Sequence, residues 1–185
     1  MRLKLSLTAI ALASLAVARP AAAGPALLFD ATDGKILYAE EMDDQWHPAS
    51  LTKIMTAYLA FKAIKSGKLR LDDKVNCSEL AHKQPPSKIG LPIGGELTVE
   101  LALQSLIVKS ANDVAVMLAE KISGTELQFV ADMNAAAREL GMSRTTFSNA
   151  NGLPAVGQVT TARDLAKLAR AVATEFPEYA EYWSM

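Results

Sequence analysis

The chain has 185 residues, half of them hydrophobic, and its formal net charge at neutral pH is −1. This length and composition fit one globular domain with enough apolar side chains for a core. The near-neutral charge gives no reason to expect nucleic acid as a partner. Two histidines and one cysteine make no metal-ligand cluster, so we expect neither a metal nor a cofactor.

Residues 1–23 have the pattern of a secretory signal peptide. Two basic residues open the chain, an apolar run follows, and residues 21–23 are alanines, as signal peptidase requires. We therefore expect cleavage after Ala23 and export of the mature chain, residues 24–185, to the periplasm or cell envelope. The mature chain would carry 16 basic and 20 acidic residues. The apolar run is short for a membrane span, although an uncleaved anchor stays open.

The mature chain begins with a hairpin pattern. Residues 26–29 and 35–39 are apolar runs typical of strands, and Asp33-Gly34 between them favours a two-residue turn. Because two strands alone are not stable in water, we expect the hairpin to join a larger sheet or to pack on helices.

A long apolar pattern, typical of a buried helix, starts at Ser50 and ends at Ser66, with Gly67 in the position that follows a helix end. Ser50 and Lys53 lie three residues apart and therefore share a face of this helix. A hydroxyl beside an amine that burial keeps neutral is a nucleophile with its own base. A chain of this length contains roughly one Ser-x-x-Lys by chance, so a capping Ser50 and a solvated Lys53 stay open.

Residues 69–95 predict mostly loop or extended chain because six of the last eleven are proline or glycine. A short strand is expected at residues 75–77. Export permits disulfides, but Cys77 is the only cysteine, so within this chain it is a free thiol.

Helical patterns dominate the remainder of the chain. Thr125 and Thr161 stand where N-caps belong, with Asp164 completing a capping-box pattern, and Gly141 stands where a helix terminator belongs. The predicted helices cover residues 98–108, 112–123, 126–140 and 162–175, the last of them ending before Pro177.

The break between the first two of these helices is a second candidate site. Ser110 and Asn112 lie on a tight connection from which a hydroxyl could shuttle a proton and an amide could orient a substrate amide. Simple capping of the next helix is the alternative. The chain contains one Ser-x-x-Lys and one Ser-x-Asn, in that order, which favours reading Ser50, Lys53, Ser110 and Asn112 together.

These signatures and their flanks resemble the penicillin-recognising serine enzymes, and within them the low-molecular-weight D-alanyl-D-alanine carboxypeptidases of serine peptidase family S11. The matching segments follow one another in order over nearly the whole mature chain, at residues 48–58, 106–113, 129–134, 140–142, 147–153 and 160–166. The resemblance implies an α+β fold of the β-lactamase/transpeptidase-like type, in which a hairpin precedes a helical region.

The resemblance also implies a mechanism. Ser50 would attack the D-Ala-D-Ala bond of a peptidoglycan pentapeptide, and its backbone N–H would contribute to the oxyanion hole. Lys53 would accept the Ser50 proton, Ser110 would pass a proton to the leaving D-alanine, and Asn112 would hold the substrate amide. β-Lactams would acylate the same serine as covalent inhibitors.

The chain departs from the family in having no Lys-Thr-Gly after Asn112. In the family that strand supplies the carboxylate-binding lysine and the second oxyanion donor. We therefore expect residues 24–185 to be a C-terminally truncated catalytic domain that lacks the later sheet strands and the membrane anchor, with impaired activity.

Three other functions are weighed against this one. A β-lactamase shares the motifs, and a non-catalytic exported binding protein could use the same scaffold. A Ser-His-Asp hydrolase is disfavoured because the chain has no Gly-x-Ser-x-Gly, and His47 is more simply a loop residue.

Overall fold

The computed structural model describes residues 24–185, so the predicted signal peptide, residues 1–23, lies outside the described residues. No helix within the described range is both long enough and apolar enough to cross a membrane. The strands and helices are, in chain order, β1 Ala26–Phe29, β2 Ile36–Glu40, α1 Thr52–Lys65, β3 Lys74–Asn76, α2 Glu79–His82, β4 Glu96–Thr98, α3 Val99–Val108, α4 Asn112–Ser123, α5 Glu126–Glu139 and α6 Ala162–Glu175.

The predicted hairpin is confirmed, but its turn is longer than two residues. Strands β1 and β2 pair antiparallel, and Asp30 N–H donates to the Lys35 carbonyl at 2.8 Å, which leaves four residues in the loop. The loop is longer because the Asp30 carboxylate accepts from Thr32 N–H and builds its own local turn. In the part of the chain that the structure describes, the hairpin joins no further strand; β1 packs against α6 instead.

The helix expected to start at Ser50 begins two residues later. Ala49–Leu51 form a 3₁₀ turn, in which Leu51 N–H donates to the Pro48 carbonyl at 3.1 Å. Ala49 has a φ of +46°, a left-handed conformation that stops the α-helical pattern from extending back through Ser50. The other end is as predicted, since Gly67 terminates α1 with a φ of +74°.

The irregular region holds more structure than the sequence predicted. The short strand is confirmed as β3, one residue earlier than expected, and it pairs antiparallel with β4. Strand β4 and the four-residue helix α2 were not predicted. Both are too short to show a periodicity, and α2 is marked only by its N-cap, Ser78, whose hydroxyl accepts from Ala81 N–H.

The core forms around α1, which contacts α3, α4, α5 and α6 and is buried on most of its surface, as its sequence predicts. The caps at Thr125 and Thr161 are confirmed, because each hydroxyl accepts from the N–H three residues on. A further helical segment follows α6. Residues Pro177–Trp183 form a 3₁₀ segment that returns to the core. There the ring of Tyr179 stacks on Phe61 with centroids 4.3 Å apart.

Candidate active site

Lys53 is the buried charge-bearing group at the centre of the site. It lies in the first turn of α1, and 5% of its surface is exposed. Its Nζ donates to Asn112 Oδ1 at 2.8 Å and to the Asn151 carbonyl at 2.6 Å. Removal from water lowers the pKa of Lys53 from 10.5 to about 8, because burial disfavours the charged form.

The shift changes what Lys53 can do at neutral pH. With a pKa of about 8, about a tenth of the molecules carry a neutral amine at pH 7, against about one in three thousand for an ordinary lysine. A neutral amine has two N–H groups and one lone pair. Asn112 and Asn151 accept both N–H groups, so the lone pair is left free to accept a proton. The alternative of a solvated Lys53 is therefore wrong.

Ser50 lies in the 3₁₀ turn before α1 and is exposed. Neither this turn nor α1 has a side-chain cap, so the capping alternative for Ser50 is wrong. An open apolar groove of about 490 Å³ runs beside the turn, and its lining includes Pro48, Ala49, Pro154 and Val156. Within residues 24–185 no hydrogen bond joins the Ser50 hydroxyl to Lys53, so the structure presents the hydroxyl to solvent while the amine is bound to Asn112 and Asn151.

Ser110 occupies a strained position in the connection between α3 and α4. Its φ is +57°, a left-handed value that costs an ordinary residue about 1–2 kcal/mol. Its Oγ is buried and has no hydrogen-bond partner among the described residues, at a further cost of about 1–3 kcal/mol. Both costs are typical of a residue that is held ready for chemistry.

Asn112 is the first residue of α4 and its side chain turns inward. Besides accepting from Lys53, its Nδ2 donates to the Pro85 carbonyl at 3.0 Å, and its backbone N–H donates to Ser87 O at 2.7 Å. The capping alternative for Asn112 is wrong, because the N-cap is Ala111 and no side chain serves it. One amide hydrogen and one oxygen lone pair of this side chain therefore have no partner among the described residues.

The loop at residues 149–153 is a part of the site whose role the sequence did not reveal. It supplies the Asn151 carbonyl that accepts from Lys53, and it places Gly152, with a φ of +87°, against the turn that carries Ser50. The Asn151-Gly152 pair within the loop predicts a tight turn. Nothing in that pattern shows that the turn contacts residues about a hundred positions earlier.

Asp113 is a structural support of the site that the sequence did not reveal. It is 1% exposed, and its carboxylate accepts from the backbone N–H groups of Ile89, Gly90 and Val114. These bonds hold the loop before β4 against the start of α4 and so support the wall beside Asn112.

The structure thus brings Lys53 and Asn112 into direct contact and places Ser50 and Ser110 in the irregular backbone just before their two helices. Within the described residues, no group of three or more histidine, cysteine, aspartate or glutamate side chains could hold a metal ion. The side chains gathered at the site are two hydroxyls, an amide and an amine with a lowered pKa.

Comparison with known proteins gives a family. The family model described as D-alanyl-D-alanine carboxypeptidase, Peptidase_S11, matches residues 13–184. The D-alanyl-D-alanine carboxypeptidase DacF of Bacillus subtilis is 41% identical over 145 residues, which are 78% of this chain and 37% of that protein. The chain thus spans about two fifths of this curated relative's length.

Two solved structures show the same fold. The crystal structure of the D-alanyl-D-alanine carboxypeptidase DacD from Francisella tularensis superposes with a TM-score of 0.85 at 38% identity, covering 88% of this chain and 39% of that one. Penicillin-binding protein D2 from Listeria monocytogenes, in its ampicillin-bound form, superposes with a TM-score of 0.73 at 31% identity, covering 88% and 66%. The α+β penicillin-binding fold expected from the sequence is therefore confirmed.

Proposed function

The chain belongs to the S11 peptidase family of D-alanyl-D-alanine carboxypeptidases, and from this premise we propose that it carries the acylation site of a serine D,D-carboxypeptidase. The substrate is the pentapeptide stem of peptidoglycan, and the reaction releases its terminal D-alanine. The observation that supports this function best is the buried amine of Lys53, whose two N–H groups are engaged by Asn112 and Asn151 while its pKa is lowered to about 8.

Acylation starts with transfer of the Ser50 hydroxyl proton to Lys53 Nζ. The Ser50 oxygen then bonds to the carbonyl carbon of the penultimate D-alanine, and the carbonyl electron pair moves to its oxygen. The Ser50 backbone N–H, at the N-terminal end of α1, stabilises this oxyanion. The exposure of Ser50 fits an attack on a long substrate that arrives from solvent.

Collapse of the tetrahedral species breaks the peptide C–N bond. Ser110 passes the proton from Lys53 to the leaving D-alanine nitrogen, a role that its unpartnered buried hydroxyl favours. The free N–H of Asn112 donates to a substrate amide oxygen. Water, deprotonated by the same lysine, then attacks the acyl carbon and restores the Ser50 hydroxyl.

The 185 residues contain no Lys-Thr-Gly after Asn112, so they provide neither that motif's lysine nor its oxyanion donor. Removal of one oxyanion donor typically slows catalysis by about 10²–10³-fold. A protein of these residues alone is therefore weakly active or inactive on the pentapeptide, while β-lactams still acylate its Ser50, slowly. We place it in the periplasm or cell envelope, where its substrate is found and to which a leader at residues 1–23 would direct it.

Labelling with a fluorescent penicillin tests this function. The purified chain should be labelled slowly, over hours, with loss of the label in Ser50→Ala. The matched control is Ser66→Ala, which removes an exposed hydroxyl at the other end of α1 and should label like the wild type. Label that survives Ser50→Ala, or the absence of any label, would refute the proposed nucleophile.

Two further outcomes of the same assay separate the related functions. Labelling within seconds would show that the site is not impaired. Rapid release of hydrolysed penicillin after acylation would indicate a β-lactamase, since the two enzyme types differ in their deacylation rate.

A further inference from the structure

One loop touches both halves of the proposed catalytic pair. We call residues 149–153 the Asn-Gly loop. We propose that Gly152 is a positioning residue: because it has no side chain, this loop can lie against the peptide that joins Ala49 to Ser50 while its Asn151 carbonyl holds the Lys53 amine. The loop thereby sets the nucleophile relative to its base. The catalytic part of this inference rests on the function proposed above.

The contact between Gly152 and the Ser50 turn leaves no room for a methyl group. A Cβ on Gly152 would lie 1.9 Å from the Ala49 carbonyl oxygen, 2.5 Å from its carbon and 3.1 Å from Ser50 N. All three atoms belong to the backbone, so no side chain can rotate away to relieve the overlap. Ala49 itself has a left-handed φ of +46°, so the backbone is already strained on the Ser50 side of this contact.

The other contact of the loop is with Lys53. The Asn151 carbonyl accepts from Lys53 Nζ at 2.6 Å, and the Ala150 carbonyl accepts from Thr56 Oγ1, also at 2.6 Å. Lys53 and Thr56 lie one turn apart on α1 and both are buried. Two successive carbonyls of the loop are thus bound to one face of the helix that carries the base.

The loop is held rigidly enough to transmit a displacement from one contact to the other. The Asn149 side chain spans it, accepting from Gly152 N–H at 2.7 Å and donating to the Leu153 carbonyl at 2.9 Å. Gln158, which is buried, accepts from Asn149 N–H and donates to the same Leu153 carbonyl. A shift at Gly152 therefore moves the Asn151 carbonyl with it.

A methyl group at position 152 must displace either the Ser50 turn or the loop. In the first case the Ser50 oxygen leaves its position relative to Lys53. In the second the Asn151 carbonyl withdraws from Nζ and water reaches the amine. A misplacement of about 1 Å can slow a reaction on the order of 10²-fold, so either movement should be visible in the acylation rate.

The chain offers a matched control for Gly152→Ala. Gly157 has nearly the same backbone conformation, with a φ of +80°, and lies five residues further along the same connection, yet no atom lies within 4 Å of a Cβ built there. Gly157→Ala therefore introduces the same methyl group with the same unfavourable φ. The two variants differ in the overlap with Ala49.

The experiment measures two quantities on the whole purified chain. The first is the rate at which fluorescent penicillin labels Ser50. The second is the pKa of Lys53, followed by NMR of ¹³C-labelled lysine, which needs no catalytic activity. In Gly152→Ala we expect labelling to slow by at least about tenfold. Where the loop is the part that moves, we also expect the Lys53 pKa to rise toward its ordinary value. In Gly157→Ala both should match the wild type.

The two readouts separate the positioning role from the proposed function. If the wild type is not labelled but the Lys53 pKa moves only in Gly152→Ala, the function fails and the positioning stands. If the wild type is labelled and Gly152→Ala matches it in rate and pKa, the positioning is refuted. If Gly152→Ala does not fold, Asn149→Ala takes its place, because it loosens the same loop without an overlap. This variant must show both the slower labelling and the raised Lys53 pKa. A labelling rate and a Lys53 pKa equal to those of the wild type would refute the inference.

Discussion

Replacing the buried lysine Lys53 with methionine should change how stability depends on pH. Lys53 has a pKa of about 8 in the folded chain and 10.5 in the unfolded chain. Between these values the unfolded state holds a proton that the folded state lacks, so the free energy of unfolding rises with pH across this window. Below about pH 8 both states are protonated and the folded state carries the whole cost of the buried charge.

The gap between 10.5 and about 8 corresponds to about 3 kcal/mol, at about 1.4 kcal/mol per pH unit. Integration of the two titration curves places ~2.5 kcal/mol of this between pH 7 and pH 10. Lys53→Met cannot titrate, so its free energy of unfolding should lack this rise. Lost hydrogen bonds to Asn112 and Asn151 shift the variant's stability by an amount that does not depend on pH, and the slope is therefore the quantity to compare.

Urea unfolding at half-unit steps from pH 7 to pH 10 measures this slope. Burial raises the pKa of Tyr58 to about 12, which lowers stability above pH 10 in the wild type and in Lys53→Met alike, so it cancels when these two curves are subtracted. The control is Lys62→Met, an exposed lysine on the same helix that pairs with Glu139, whose curve should run parallel to that of the wild type. If the wild type and Lys53→Met curves are themselves parallel, Lys53 is not desolvated and its assignment as the base is wrong.

Two further predictions concern groups away from the reacting atoms. Cys77 is buried and its pKa is raised by that burial, so iodoacetamide at pH 8 should alkylate it slowly in the native chain and rapidly in urea; fast native alkylation would contradict the packing. Asp164→Asn should lower stability by about 1–3 kcal/mol in urea unfolding, since the buried carboxylate accepts from Arg144 N–H and Thr145 Oγ1. The exposed Asp72→Asn should change stability by less than about 0.5 kcal/mol, and equal effects of the two would refute the role of burial.

The sequence predicted those parts of the fold that depend on neighbouring residues. The N-caps at Thr125 and Thr161 were predictable because the cap and the N–H it serves lie three residues apart. The capping box at Thr161 is only half present, because the Asp164 carboxylate bonds to Arg144, Thr145 and Lys167 instead. That exchange depends on residues from a distant loop, which no local pattern contains.

In the candidate site, too, the features set by neighbouring residues could be predicted and those set by distant residues could not. Ser50 with Lys53, and Ser110 with Asn112, could be selected from short spacings, and the structure brings Lys53 to Asn112 across 59 positions. The Asn151 carbonyl acts on Lys53 across 98 positions through a backbone atom. A backbone carbonyl leaves no trace in residue type, so this contact could not be read from the sequence. The left-handed φ of Ser110 was equally hidden, since serine does not require it.

Several locally unfavourable features lie just before or within the first turns of α1 and α4. Ala49 and Ser110 have left-handed backbones without being glycine, the Ser110 hydroxyl is buried without a partner, and Lys53 is buried with a lowered pKa. Each costs about 1–3 kcal/mol, and each is held in place by a helix whose core face is closely packed, α1 for the first turn and α4 for the second. A glycine at position 49 or 110 would adopt the same left-handed φ without that cost. These features fall at the starts of the two helices that the Lys53–Asn112 hydrogen bond joins, and this placement supports the proposal that the Lys53 amine takes a proton.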